Sequence, residues 1–345
     1  MNDQLGPIAL LGSGETSLAG GRVFETIAQK LPRPIRIAIL ETPAGFELNS
    51  SQVAEKVGAF MKTRLQNYNP EIDIIPARRR GTTFGTDEPD ILKPLARADL
   101  IFMGPGSPTY AVRQLAGSLA WDLIKARHRR GAALVFASAA TISVGAWALP
   151  VYEIYKVGQD VHALPGLELF ADFGFRISCI PHWNNTDGGA DVDTSRCFVG
   201  IDRFSQWCDS LPAGNTTIGL DEHTGLIIDF AAGKCSVSGV SSVTLLRECD
   251  PRIYPAGATF SLSELGDLQI SDESHIRPEA WEMLENAALE PSSDSVPDEV
   301  LQLVEKRQDA RSKKEWTKSD EIRKQIASLG WLVQDSPEGP KLIRL

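Results

Sequence analysis

The sequence predicts an α/β protein of three αβα layers, a mostly parallel sheet between helices, with a small helical appendage at its C-terminal end. Three observations carry this. Five strand-like runs, Pro7–Leu11, Ile35–Leu40, Ile72–Ile75, Asp99–Met103 and Ala132–Ala137, alternate with stretches long enough for one or two helices. The segments that follow them, Gly12-Ser-Gly-Glu15, Glu41-Thr-Pro-Ala-Gly-Phe46 and Gly104-Pro-Gly-Ser-Pro108, have loop composition, and in open α/β sheets function gathers at the carboxyl ends of strands. Finally, the fifth run stops at Ser138 and continues straight into the small residues Ala139, Ala140 and Thr141.

Taken in order, the loop after the first run lacks both the full G-x-G-x-x-G and the Lys-Ser/Thr of a phosphate loop, so it reads as a turn. The fifth run has more to offer. A strand that runs directly into a helix makes a sharp turn whose apex side chain stands above the sheet, with helix N-terminal amides beneath it. Ser138 is at that apex, although serine is also a favoured helix N-cap without any chemistry. The small residues expected two before and two after a nucleophile are here Phe136 and Ala140, and phenylalanine is expected to crowd the turn. Ser143 competes, but from inside the helix.

Further on, Ile177–His182 reads as a strand ending at a histidine. The runs Thr217–Leu220, Leu226–Phe230, Cys235–Val237 and Val243–Leu246 read as antiparallel strands closing one edge of the sheet. The core pattern fades after about Leu262, and Asn286–Glu299 has linker composition. Beyond it, Val300–Leu329 is charged and helical, with apolar Leu301, Val304, Ile322 and Ile326 and a terminal Gly330. The domains expected are 1–262, a connector 263–297 and a tail 298–345.

With 345 residues, 42% hydrophobic and 23% charged, the chain has room for a large core. The 45 acidic against 35 basic residues give a net charge of −10, which excludes long-range attraction to nucleic acid or anionic lipid and leaves only local basic patches. Five cysteines, with no C-x-x-C or zinc spacing, read as reduced thiols and point to the cytoplasm. The uncharged stretch Gly131–Pro150 is dominated by small residues and fits a buried strand and helix better than a membrane span.

Two further groups complete a hydrolytic constellation. His182 at its strand end, beside the strand of Ser138, is placed to take the hydroxyl proton; one imidazole without EF-hand spacing argues against a metal site in the acidic loop Asp187–Asp193. A carboxylate should hold the imidazole tautomer. Glu153 lies between serine and histidine, with Asp160 and the loop aspartates as alternatives and a surface pair with Lys156 as the plain reading. Gly104-Pro-Gly-Ser-Pro-Thr109 offers oxyanion amides if its backbone faces Ser138.

Together, Leu10-Leu-Gly-Ser-Gly-Glu15, Phe102-Met-Gly-Pro-Gly-Ser-Pro-Thr-Tyr110, Ser138-Ala-Ala, Pro181-His-Trp and Gly219-Leu-Asp-Glu-His-Thr224 resemble the serine hydrolases typified by aspartyl dipeptidase (peptidase E) and cyanophycinase, over roughly residues 6 to 250. That resemblance implies a class I glutamine-amidotransferase-like fold and an amide-bond hydrolase without metal or organic cofactor. It implies Ser138 as nucleophile, His182 as base, Glu153 as the acid, and Gly106 with Ala139 as oxyanion donors. It also implies small peptides of acidic or β-aspartyl character, for which Arg113 and Arg176 are the candidate carboxylate clamps. The family's Ser-Ala-Gly-Ala is here Ser-Ala-Ala-Thr, which keeps a second expectation in play: a catalytically inactive member that binds a small ligand, tRNA or a protein partner. The tail, Glu305–Arg323 with Leu329-Gly-Trp and Gln334–Gly339, resembles the C-terminal segment of cysteinyl-tRNA synthetases, which implies a tRNA-facing role. From Asp298 onward ten basic and nine acidic residues make a mixed face, equally suited to docking a protein. The sequence leaves a homodimer open.

Overall fold

The computed structural model describes residues 5–247, 250–289, 298–336 and 339–344. All five predicted strands form: β1 (Ile8–Leu11), β2 (Arg36–Leu40), β3 (Glu71–Ile75), β4 (Leu100–Met103) and β5 (Ala133–Ala137). They are mutually parallel in the order β1-β5-β4-β2-β3. Three antiparallel strands, Thr224–Asp229, Lys234–Gly239 and Thr259–Ser261, extend the sheet beyond β1 to eight strands.

Strand alternation divides the core between the two faces. Ala9 and Leu11 of β1, with Val135 and Ala137 of β5, pack under helices α1 (Leu18–Ala28) and α2 (Ser50–Arg64). Ile8, Leu10, Leu134 and Phe136 face the other way, onto α3 (Pro89–Ala96), α4 (Pro108–Leu115) and α5 (Leu119–Arg129). Three of these helices begin on a serine: Ser17, Ser107 and Ser118 each accept the amide three residues on, satisfying a donor the helix leaves open. Gly131–Pro150 resolves into β5, the short helix α6 (Ala139–Ser143), a two-residue strand at Trp147–Ala148 and loops, and no described helix is long and apolar enough to cross a membrane.

The strand of His182 does not join the main sheet. Ile177–Ile180 pairs parallel to Thr216–Leu220 in a separate four-stranded sheet that also contains Ser242–Arg247 and Asp250–Pro255. The expected single closing edge is therefore two structures, with Thr224–Asp229 and Lys234–Gly239 in one sheet and Thr216–Leu220 and Ser242–Arg247 in the other. Strand patterns show which residues alternate, not which neighbour they bond.

The chain divides into two compact units, Met1–Ala287 and Ala288–Leu345. The first half of the expected connector folds with the first unit: Leu265, Ile276, Ala280 and Leu284 are buried in its core, the last two on a helix at Pro278–Leu289. The rest of the connector's linker composition, 290–297, lies outside the described residues, as does Cys249. In the second unit, helices Asp298–Ser312 and Trp316–Ser328 are followed by a hairpin, Trp331–Ser336 with Gly339–Arg344. Val300, Val304, Ile322, Ile326, Trp331 and Val333 form its small core. Leu301, expected on the apolar face, is 45% exposed, and Val300 takes the buried position.

Candidate active site

Ser138 occupies the turn between β5 and α6 with φ +52° and ψ −116°, a region that L-residues avoid. Strain of this kind costs on the order of 1–3 kcal/mol and persists only where the surroundings enforce it. Here Thr141 enforces it, donating its hydroxyl to the carbonyls of Phe136 and Leu11 and tying α6 to both strands. Phe136 does not crowd the turn, because its fully buried ring belongs to the α3–α5 face of the core. Ser143 is buried and donates to Ala140 O at 2.8 Å, which removes it as a rival.

His182 arrives from the second sheet. Its amide donates to Gly12 O at 3.2 Å, hooking the loop after Ile177–Ile180 onto the loop after β1. Its Nε2 lies 3.0 Å from Ser138 Oγ. On the other side of the ring, Nδ1 lies 3.1 Å from Glu222 Oε1, which also accepts Asn185 Nδ2 at 3.0 Å. Register brings this carboxylate there: Ile180 pairs with Gly219 in parallel strands, so the residues just past each strand end meet. Gly219 is required for the approach, since a Cβ on it would sit 2.4 Å from the Trp183 indole. Asn184 Oδ1 accepts the Glu222 amide at 2.8 Å and fixes the turn.

Glu153 is accordingly not the imidazole's partner. It lines a different cavity with Arg113, and its Oε2 has no hydrogen-bond partner among the described residues. Its place between serine and histidine in sequence did not make it the partner: Val151 and Tyr152 just before it line the Ser138 cleft, while Glu153 itself lines the neighbouring cavity. Arg176 is misplaced too: it precedes Ile177–Ile180 at the strand end opposite His182, and its guanidinium donates to Ala213 O. Arg113 lies on α4, its guanidinium 5.2 Å from the centre of the Tyr110 ring.

A cleft of about 250 Å3 opens at Ser138, lined by Gly106, Ala139, Val151, His182, Cys197 and Phe198 among others. The backbone N–H groups of Gly106 and Ala139 border it, and neither donates to another group among the described residues. Gly106 has φ +145°, and a Cβ there would lie 2.0 Å from Pro43 O, so only glycine lets this loop approach. Phe198 packs its ring 5.4 Å from that of His182. It ends three successive left-handed residues, Arg196, Cys197 and Phe198, at φ +58°, +61° and +69°. Burial, with the Glu222 charge adding to it, pushes the Cys197 thiol well up, so the sulfur is protonated and does not compete as a nucleophile.

Chemically, the arrangement contains a hydroxyl, a base that can accept its proton, a carboxylate that can balance the resulting charge, and two free amides. Among the site residues, sequence reasoning missed Glu222. Its signal was available as strand, turn and strand around Gly219–Thr224, at the carboxyl end of the strand beside that of His182.

Comparison with known proteins gives two separate likenesses. The first is to a solved peptidase from an acI-B1 Actinobacterium: TM-score 0.60, 21% identity, 76% of this chain and 98% of that one covered. A candidate peptidase E protein from Listeria monocytogenes EGD-e aligns with TM-score 0.46 and 15% identity over 69% of this chain and 100% of that one. The second likeness is local. Residues 293–340 match the cysteinyl-tRNA ligase anticodon binding domain. The cysteine–tRNA ligase of Chlamydia felis is 52% identical over 54 residues, 16% of this chain and 11% of the ligase, so this chain spans about a tenth of the length of that relative. The chain thus joins a unit that shares its fold with a solved peptidase from an acI-B1 Actinobacterium to a C-terminal segment similar to the anticodon binding domain of cysteinyl-tRNA ligases.

Proposed function

We propose that the first unit is a serine-dependent amide-bond hydrolase acting on peptides through an acyl-enzyme. The observation that supports this most is the continuous line Ser138 Oγ, His182 Nε2, His182 Nδ1, Glu222 Oε1, with links of 3.0 and 3.1 Å, starting from a strained serine. In this reading Ser138 Oγ bonds to the substrate carbonyl carbon as its proton passes to His182 Nε2. The amides of Gly106 and Ala139 stabilise the oxyanion. As the C–N bond breaks, the leaving amine takes that proton. His182 then deprotonates a water, which displaces Ser138 from the acyl group, and the serine recovers its proton. One water is consumed. Glu222 holds the tautomer and balances the imidazolium. The inactive-binder alternative needs the serine turned away, and a 3.0 Å contact favours the enzyme.

The test is labelling of the intact protein with a fluorophosphonate, located by peptide mass spectrometry. Labelling at Ser138 that disappears in Ser138→Ala and His182→Ala is expected; folded protein that stays unlabelled would sink the hydrolase.

For the second unit, the match to an anticodon binding domain supports a tRNA contact. Binding is expected to weaken steeply with salt and to vanish when the chain is cut at residue 295. No binding at low salt removes this reading.

A further inference from the structure

Two adjoining cavities beside the cleft, of about 550 and 560 Å3, share Phe46, Tyr110 and Arg113. Volumes of this order suit small molecules. The first is walled largely by apolar groups, including Val112 and Leu164, and its lining includes Glu153 and Thr109, whose Oε2 and Oγ1 are buried without a hydrogen-bond partner among the described residues. Arg79 lines the second together with Arg113, and neither guanidinium pairs with a carboxylate among the described residues. A carboxylate and two guanidiniums thus line one trough without forming an ion pair with each other among the described residues. A ligand that carries both complementary groups can pair with each side of the trough at once.

We propose that this trough binds a zwitterion with an apolar body, an amino acid or short peptide, whose ammonium sits on Glu153 and whose carboxylate sits on Arg113 and Arg79. Matching both charges at once selects against ligands that carry only one, and the walls of Phe46, Val112 and Leu164 select apolar side chains. The trough is a neighbour of the cleft and not part of it: Gly106 and Pro108 line the cleft, while Ser107 and Thr109 line the trough.

Isothermal titration of full-length Ser138→Ala protein, which cannot turn a peptide over through this serine, tests the site with the dipeptide Leu-Phe, its N-acetyl form and its C-terminal amide. The free dipeptide is expected to bind at least about tenfold tighter than either capped form. Glu153→Gln, which keeps the shape, should abolish the preference over the acetyl form, and Arg113→Gln the preference over the amide. Equal affinities for free and capped peptides, or unchanged affinity in both variants, would overturn the site. So would binding that is lost in Phe198→Ala, in the cleft, and kept in Glu153→Gln. Because the readout is binding to a protein without the serine, the hydrolase reading and this one succeed or fail separately.

Discussion

Replacing Glu222 by glutamine isolates one electrostatic contribution. Asn185 Nδ2 donates to the same Oε1 that faces His182. A glutamine amide nitrogen in that place would confront another amide nitrogen, so the variant keeps an oxygen toward the imidazole. The Nδ1–H tautomer is then retained and only the charge is lost. Two unit charges at roughly 4 Å and an effective dielectric of about 20 interact by ~4 kcal/mol. The Glu222 side chain is 31% exposed, and water screens part of this. A loss of about 2–3 kcal/mol in stabilising the imidazolium corresponds to a rate lowered ~100-fold. The assay is the second-order rate of fluorophosphonate labelling at Ser138, with Asp160→Asn as the comparison carboxylate. A Glu222→Gln rate within threefold of wild type, or an equal loss in Asp160→Asn, would refute the assignment.

Three other outcomes follow from the same structure. Ser138→Gly should abolish labelling and raise stability by about 1 kcal/mol, since glycine adopts φ +52° without strain at a small entropic cost; a lower melting temperature would contradict it. His128 is 1% exposed, its Nε2 is 2.8 Å from Gly6 O, and burial lowers its pKa to about 4. The unfolded chain protonates this histidine below about 6.5 and the folded one only near 4, so stability falls as pH drops through that window, by ~3 kcal/mol in all. Urea midpoints at pH 7 and 4.5 should show a shallower slope in His128→Gln, and an unchanged slope would disprove it. In the second unit, Arg307 is 2% exposed and bidentate to Asp335, which is half exposed. Asp335→Ala strands a buried cation, whereas Arg307→Ala leaves a half-exposed aspartate still paired with Arg311 at 3.4 Å, so the former should cost more, about 2 kcal/mol. Hydrogen exchange at Val333 reads the difference, and the reverse order would refute the burial argument.

Much of the fold was legible in the sequence because its signals are local. The runs at β1 to β5 are short, apolar and bounded by glycine and proline. Less legible was the stretch 263–287, where Leu265, Ile276, Ala280 and Leu284 are too sparse to give a period and yet all are buried.

At the site the division falls between residues that stand at the end of their own strand and residues that need a neighbour. Ser138 and His182 could be singled out because each ends an apolar run, and the strand-to-helix turn by itself dictates an exposed apex at Ser138. Glu222 follows an apolar run as well, so its turn was readable, but its pairing with His182 was not, because it depends on Ile177–Ile180 leaving the main sheet to pair with Thr216–Leu220, and pairing partners are chosen by the whole core and not by either strand. Glu153 shows the converse: chain order placed it between serine and histidine, and packing placed it in another cavity. Local composition determines the elements and their ends; distance across the fold, which sets hydrogen bonds and charge pairs, is decided only when the elements pack.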